Sequence, residues 1–183
     1  MIEINLNNYK KVRIWFEENK VLKDKDSLLF SKEYNTEKNI INSNKRIVAE
    51  VLIPCGGRIV YGLLGFNYIP DNSNTLKLNI NFHKEPGIYS FNDSLMKNIE
   101  PIYIGLNQEY LPAIINRIDL FHNERRLLLS GSLNFCYSAY GEVSSSQWIF
   151  FKLTNLLLIL LVESNEEITK EFIIDTLKTI GII

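Results

Sequence analysis

Cysteine, histidine and charge of one sign are all scarce in this sequence. Its two cysteines, Cys55 and Cys136, lie far apart, too few for a disulfide framework and enough for one bridge at most. The expected state is a pair of reduced, mostly buried thiols. With only two histidines, His83 and His122, the ligand set is scattered and lacks the clustered spacing of a zinc site, so no metal is expected. Twenty Lys and Arg stand against 21 Asp and Glu, a formal net charge of -1. Dedicated nucleic-acid binders are usually strongly basic, and that footprint is missing. Long apolar runs are missing too. The longest, Leu156 to Val162, falls far short of the ~20 residues that cross a bilayer. The N-terminus, Met1-Ile2-Glu3-Ile4-Asn5-Leu6, has an early acid and no apolar core, so it does not read as a signal peptide. The chain is read as cytoplasmic.

What remains is ordinary globular composition: 183 residues, 46% hydrophobic and 22% charged. That length suits one large domain, or one domain with an appendage. It can bury roughly 70% of its unfolded surface without metal or disulfide staples. Composition alone gives no function.

Along the chain, Val12, Ile14 and Phe16 alternate with Arg13 and Trp15, which predicts a strand. Lys23-Asp24-Lys25-Asp26 reads as a solvated turn, and the Asn-rich stretch Tyr34 to Lys45 as a polar linker. Arg46 to Ile53 and Ile59 to Tyr68 predict two strands of a hairpin turning at Gly56-Gly57. Asp71-Asn72-Ser73-Asn74 supplies Asx turn chemistry. Leu76, Leu78, Ile80 and Phe82 alternate with polar residues, a strand with one wet face that Pro86-Gly87 breaks. Ile99 to Ile104 is a further short strand.

Tyr110, Leu111, Ile114, Ile115 and Ile118 share one helical stripe, with Pro112 tolerable only in the first turn of a helix starting near Gln108. Leu127 to Tyr140 predicts a strand. Ser144 with Gln147, and Ser164 with Glu167, fit capping boxes that open two last helices. The first of these is apolar nearly all round, so it should be covered on more than one side. The order of strands and helices is that of an α+β fold.

No P-loop, GxGxxG, HExxH or GxSxG motif is present. Glu109, Glu142 and Glu163 show no spacing that pairs them as acid and base, and each histidine sits near the end of an element. No catalytic residue, nucleotide or cofactor is assigned. Three short segments stand out instead. Gly56-Gly57 permits a tight hairpin at positive φ, with Arg58 beside it able to reach a phosphate or carboxylate. Glu109-Tyr110-Leu111-Pro112-Ala113-Ile114 opens a helix. Tyr140-Gly141-Glu142-Val143-Ser144-Ser145-Ser146 ends a strand and caps the next helix.

In this order the three segments resemble the signature stretches of domain IV of translation elongation factor G. Gly56 to Gly62 is similar to GGRGQYG, Glu109 to Ile114 to EYIPAV, and Tyr140 to Ser146 to YHEVDSS. The resemblance covers about residues 46 to 163. It implies a mostly antiparallel sheet covered by helices, with a left-handed β-α-β crossover. The implied organisation is an N-terminal extension over 1–44 and a domain IV-like unit with a C-terminal helix over 45–183. It also implies a tip built from the first and third motifs, carrying Gly56, Gly57, Arg58, Tyr61, Tyr140 and Glu142, that docks on the ribosome or structured RNA. The departures are Gly141 where the family has histidine, and Ile59-Val60 where it has Gly-Gln. The stretch between the first two motifs is longer than in the family, and no GTPase domain is present.

Two functions follow. One is a non-enzymatic ribosome- or RNA-docking domain, and the sequence favours it narrowly through the resemblance. The other is a protein-interaction module, such as an inhibitor, immunity or regulatory protein. Its exposed aromatics would come from Trp15, Tyr61, Tyr140 or Trp148, with burial expected for Trp148. Small-molecule kinases of the same broad fold carry a Gly- and Ser-rich phosphate loop that Ser144-Ser145-Ser146 does not supply, and the ribonuclease P protein is strongly basic, unlike this chain. The surface of the tip separates the two: a positive one favours RNA, an apolar or acidic one a protein.

Overall fold

The computed structural model describes residues 1–7, 9–16, 27–36, 41–85, 90–124, 129–164 and 166–183. The expected turn at Lys23 to Asp26 and the breaker Pro86-Gly87 lie outside these residues. Among the described residues, eight strands form one sheet: β1 (Ile2–Asn7), β2 (Lys10–Phe16), β3 (Leu28–Asn35), β4 (Lys45–Cys55), β5 (Arg58–Pro70), β6 (Thr75–Phe82), β7 (Ile102–Ile104) and β8 (Gly131–Gly141). Three helices accompany them: α1 (Leu111–Asn123), preceded by a 3-10 turn over Gln108–Tyr110, α2 (Gln147–Val162) and α3 (Lys170–Thr179). The strand order is β1-β2-β4-β5-β8-β6-β3, with β7 pairing β8 beyond the reach of β6. Every pairing between these strands is antiparallel except β6 with β8, which are parallel and connected through β7 and α1. The α+β class and the mostly antiparallel sheet are as expected. The boundary expected at 44–45 falls between β3 and β4, and strands from both sides of it share this sheet.

The sheet is buried on both faces at its centre. On β4, Ile47, Ala49, Val51 and Ile53 meet the helices, while Val48 and Leu52 point the other way. This two-sided burial explains why β4 reads as an almost continuous apolar run. The helix side holds the larger core, including Leu64, Phe66, Leu78, Ile114, Phe150, Leu157 and Leu177. On the opposite side Trp15, Leu52, Tyr61, Leu63, Met96 and Ile102 form a second cluster, packed against Phe91 and Leu95. Among the described residues, no helix covers that face at this cluster. The segment from Phe91 to Ile102 does.

The apolar helix α2 is covered on several sides, as its sequence demands. It lies on β4 and β5 and beside α1, where Arg117 Nη2 donates to Asn155 Oδ1 at 2.7 Å. The Lys152 ammonium reaches the Ile180 carbonyl beyond α3. Neither expected capping box starts its helix. Ser146 is the N-cap of α2, without a side-chain bond, and Thr169 caps α3 by accepting from Phe172 N–H at 3.1 Å. Ser164 does bond Glu167, at 2.9 Å, but ahead of the helix. Serine hydroxyls bond whatever local donor or acceptor lies nearest, and here loop partners win over the cap.

Two strands were not anticipated, β1 and β3. The latter pairs with β6 along its whole length and takes in Tyr34-Asn35, which the polar linker was expected to include. Tyr34 is a core residue whose hydroxyl donates to Asp119 at 2.7 Å. Both cysteines are free: Cys136 is half-buried, and Cys55 is exposed, contrary to the expected burial.

Candidate functional site

The first motif forms the turn between β4 and β5. Cys55 pairs with Arg58, leaving a two-residue turn of Gly56 at φ 58° and Gly57 at φ 83°. Positive φ at both central positions is the hairpin turn whose twist matches the flanking strands, and it selects glycine. Apart from the adjoining residues, no atom of the described residues lies within 4 Å of a Cβ built at either position, so the backbone demands glycine there and crowding does not. Pro54, Cys55, Gly56, Gly57, Arg58 and Ile59 are all exposed.

The third motif is laced to the same strand. Tyr61 N–H donates to the Ser144 carbonyl at 3.0 Å, and Ser145 Oγ donates to the Tyr61 carbonyl at 2.9 Å. Gly141 N–H in turn donates to Ser145 Oγ at 3.0 Å. The loop therefore leaves β8 beside the start of β5, carrying Glu142 and Val143 outward. Val143 is 88% exposed, and Trp148, against the expected burial, is 41% exposed at the start of α2.

The second motif points inward. Tyr110 stacks on Phe150 at a centroid distance of 4.6 Å and meets Tyr140 edge-on at 5.7 Å. Gln147 Nε2 donates to the Glu109 carbonyl at 2.9 Å, which uses the side chain expected in a capping box. Burial, and then the Glu109 carboxylate, push the Tyr110 hydroxyl far above the ordinary phenol range. The three motifs thus converge, the first and third at the tip and the second beneath it.

Of the six residues assigned to the tip, Gly56, Gly57, Arg58 and Glu142 are exposed, while Tyr61 and Tyr140 are buried. Tyr140 packs between Tyr103 and Tyr110. Tyr61 points to the opposite face of the sheet, where its hydroxyl donates to Glu50 at 3.0 Å. Trp15, a candidate contact aromatic, is also buried. Within the two loops themselves the exposed charged residues are Arg58 and Glu142, and Pro54, Ile59 and Val143 are exposed apolar residues.

Glu50 was not singled out from the sequence, although an acid inside Ile47-Val48-Ala49-Glu50-Val51-Leu52 is a signal. It is fully buried. Its Oε1 accepts from Tyr61 and from Leu95 N–H at 2.8 Å, and its Oε2 lies 3.5 Å from Arg13 Nη1. Arg13 also faces Glu3 at 3.4 Å and donates to the Asp93 carbonyl at 3.0 Å. Burial raises the Glu50 carboxyl above the ordinary range, against the opposing pull of Leu95 N–H, Tyr61 and Arg13. Burial, then the charge of Glu50, raise the Tyr61 hydroxyl well above the usual phenol value, so it stays a donor. No solvent reaches this acid, and its partners hold the covering segment in place.

That segment also lines a cleft of about 240 Å³ beside Ser90, Asn92, Lys97 and Glu100. The cleft is smaller than the pockets of roughly 300–1,000 Å³ that hold drug-sized ligands. Among the described residues, no group of three or more His, Cys, Asp or Glu is placed to hold a metal ion, and no helix is long and apolar enough to cross a membrane. Comparison with family models, curated proteins and solved structures finds no significant match.

Proposed function

We propose that this chain is a non-enzymatic binding domain with an architecture like domain IV of elongation factor G, and that it meets a protein partner end-on through its tip. The architecture is supported by the parallel β6 and β8, whose connection carries α1 after the short β7, and by the convergence of the three motifs. Left-handedness of that crossover belongs to the same proposal.

The observation that carries the choice of partner is the tip's surface. Affinity for RNA comes largely from neutralising phosphates, and the two tip loops carry one exposed guanidinium, Arg58, and one exposed carboxylate, Glu142. Its loops also expose Pro54, Ile59 and Val143, and Trp148 is exposed at the start of α2. Apolar and aromatic side chains in that setting are what protein interfaces use as anchors. Ribosome or RNA docking stays as the second reading, favoured by the pairing of the first and third motifs at one end.

A photo-crosslinking side chain at Val143, with Leu120 on α1 as an exposed control, tests the first reading in cells of the native host. A discrete protein adduct from Val143, absent from Leu120 and lost on Ile59→Glu, is the expected result. Co-sedimentation with ribosomes across a salt series tests the second. Pelleting that fades with salt and disappears in Arg58→Glu would move the assignment to RNA. Neither adduct nor pelleting would remove the tip as the contact surface.

A further inference from the structure

Gly141 is buried, yet its backbone lies outside the positive-φ region that requires glycine. What a side chain there would meet is other side chains, not backbone. A Cβ built at 141 would collide with the Glu100 carboxylate and with Ser144 Oγ. Both of these belong to one contact: Glu100 Oε1 accepts from Ser144 N–H at 3.2 Å and from the Ser144 hydroxyl. A side chain of the 91–102 segment therefore occupies the room that a side chain of the tip loop would take.

The segment that delivers Glu100 is anchored on its other side. Leu95 N–H is held by Glu50, the Asp93 carbonyl by Arg13, and Phe91 N–H donates to the Ile102 carbonyl at 2.7 Å. Ile99 N–H closes a turn on the Met96 carbonyl at 2.7 Å, one residue before Glu100, and Met96 is itself in the core. Its anchored backbone leaves Glu100 little freedom of position.

We propose that Glu100 is the positioning residue of the tip. By filling the side-chain space of position 141 and holding Ser144, it fixes the loop from Gly141 to Ser146 so that Glu142 and Val143 face outward. The inference deepens the contact reading and rests on it for its functional meaning. Its structural content is measurable without any partner, so the two can fail separately.

Amide hydrogen exchange of the purified protein is the test. Losing a charged acceptor releases the Ser144 amide, so Glu100→Ala raises its exchange about tenfold or more. Glu100→Gln, which keeps the acceptor oxygen, restores protection to near the wild-type rate. Gly141→Ala displaces the carboxylate and has the same effect as Glu100→Ala. The double variant is no worse than the larger single one, because both remove one contact. Core amides such as Leu64 keep their protection throughout, which separates the effect from general unfolding. Unchanged Ser144 exchange in both single variants, or fully additive effects in the double variant, would overturn the assignment. Should Glu100→Ala not fold, Gly141→Ala and Glu100→Gln decide it. An absent Val143 adduct with this exchange pattern intact would sink the contact reading and leave the positioning role standing.

Discussion

Replacing Tyr61 by Phe separates a surface role from a core role at one position. The ring is fully buried, and Phe keeps it, so the apolar transfer contribution drops out of the comparison. What is lost is the hydroxyl that donates to Glu50 at 3.0 Å. Hydrogen bonds to charged groups contribute about 1.5–3 kcal/mol. Here the carboxylate keeps Leu95 N–H at 2.8 Å and the Arg13 guanidinium at 3.5 Å, which places the loss near the lower end. We expect a destabilisation of about 1.5–2 kcal/mol, or roughly 3–8 °C in Tm for a chain of this size. Urea unfolding followed by circular dichroism gives the free energy, with an unchanged m-value as the check that the unfolded state is not altered. In a double-mutant cycle with Glu50→Gln, the two effects should fall short of additive because they share a bond. A change within about 0.5 kcal/mol, the range of ordinary surface substitutions, would refute the buried network. Loss of partner binding at unchanged stability would return Tyr61 to the tip surface.

Two further predictions concern charge and capping. The Glu50 carboxyl is raised by burial, so the native state binds its proton more tightly than the unfolded chain does. Its stabilising contribution is full below the unfolded carboxylate value, about 4.3, and is lost as pH rises through the folded value. Stability of the wild type relative to Glu50→Gln should therefore decline as pH rises across that window; parallel curves from urea titrations would sink the claim. Thr169→Ala removes the hydroxyl that accepts from Phe172 N–H and should cost about 1 kcal/mol, while Ser164→Ala stays within about 0.5 kcal/mol. A larger loss at Ser164 in thermal or urea unfolding would restore the capping box ahead of α3.

How far the sequence could be read depended on how local each signal was. The alternation of Leu76, Leu78 and Ile80 predicts β6, and the Gly56-Gly57 pair predicts the hairpin, because both depend on neighbours alone. The strand β3 escaped because Leu28 and Leu29 are exposed and only its partner β6, far along the chain, makes it a strand. The capping boxes failed for a related reason. Ser144 and Gln147 have better partners in Glu100 and the Glu109 carbonyl, which no spacing rule can see. For the tip, the first motif groups Tyr61 with Arg58, although residues three apart on a strand point to opposite faces. Strand periodicity and the acid in β4 could have warned that Tyr61 belongs to a buried polar network. The covering segment from Phe91 to Ile102 carries no periodicity, and its role appears only in three dimensions.

The two acids that matter most here, Glu50 and Glu100, both act on that segment, one gripping Leu95 N–H and the other extending from it to Ser144. A buried ionised group is poor value as a stabiliser, since desolvation offsets most of its attraction. Its effect lies in specifying one arrangement: with Tyr61, Leu95 and Arg13 all directed at the Glu50 carboxyl, a shifted segment would leave a buried polar group without its partners. The Gly141 to Ser146 loop is thereby tied to the back face of the sheet, while the exposed Gly56 and Gly57 set only the hairpin turn. A preordered loop spends less of its contact energy on being ordered at the moment of binding, which benefits any partner. Ordering alone does not create phosphate affinity, because that scales with the charges neutralised and the tip balances Arg58 against Glu142. Rigid presentation of Ile59 and Val143 is of use mainly to a partner with an apolar depression to receive them, and the back-face network is the part of the structure that makes such presentation possible.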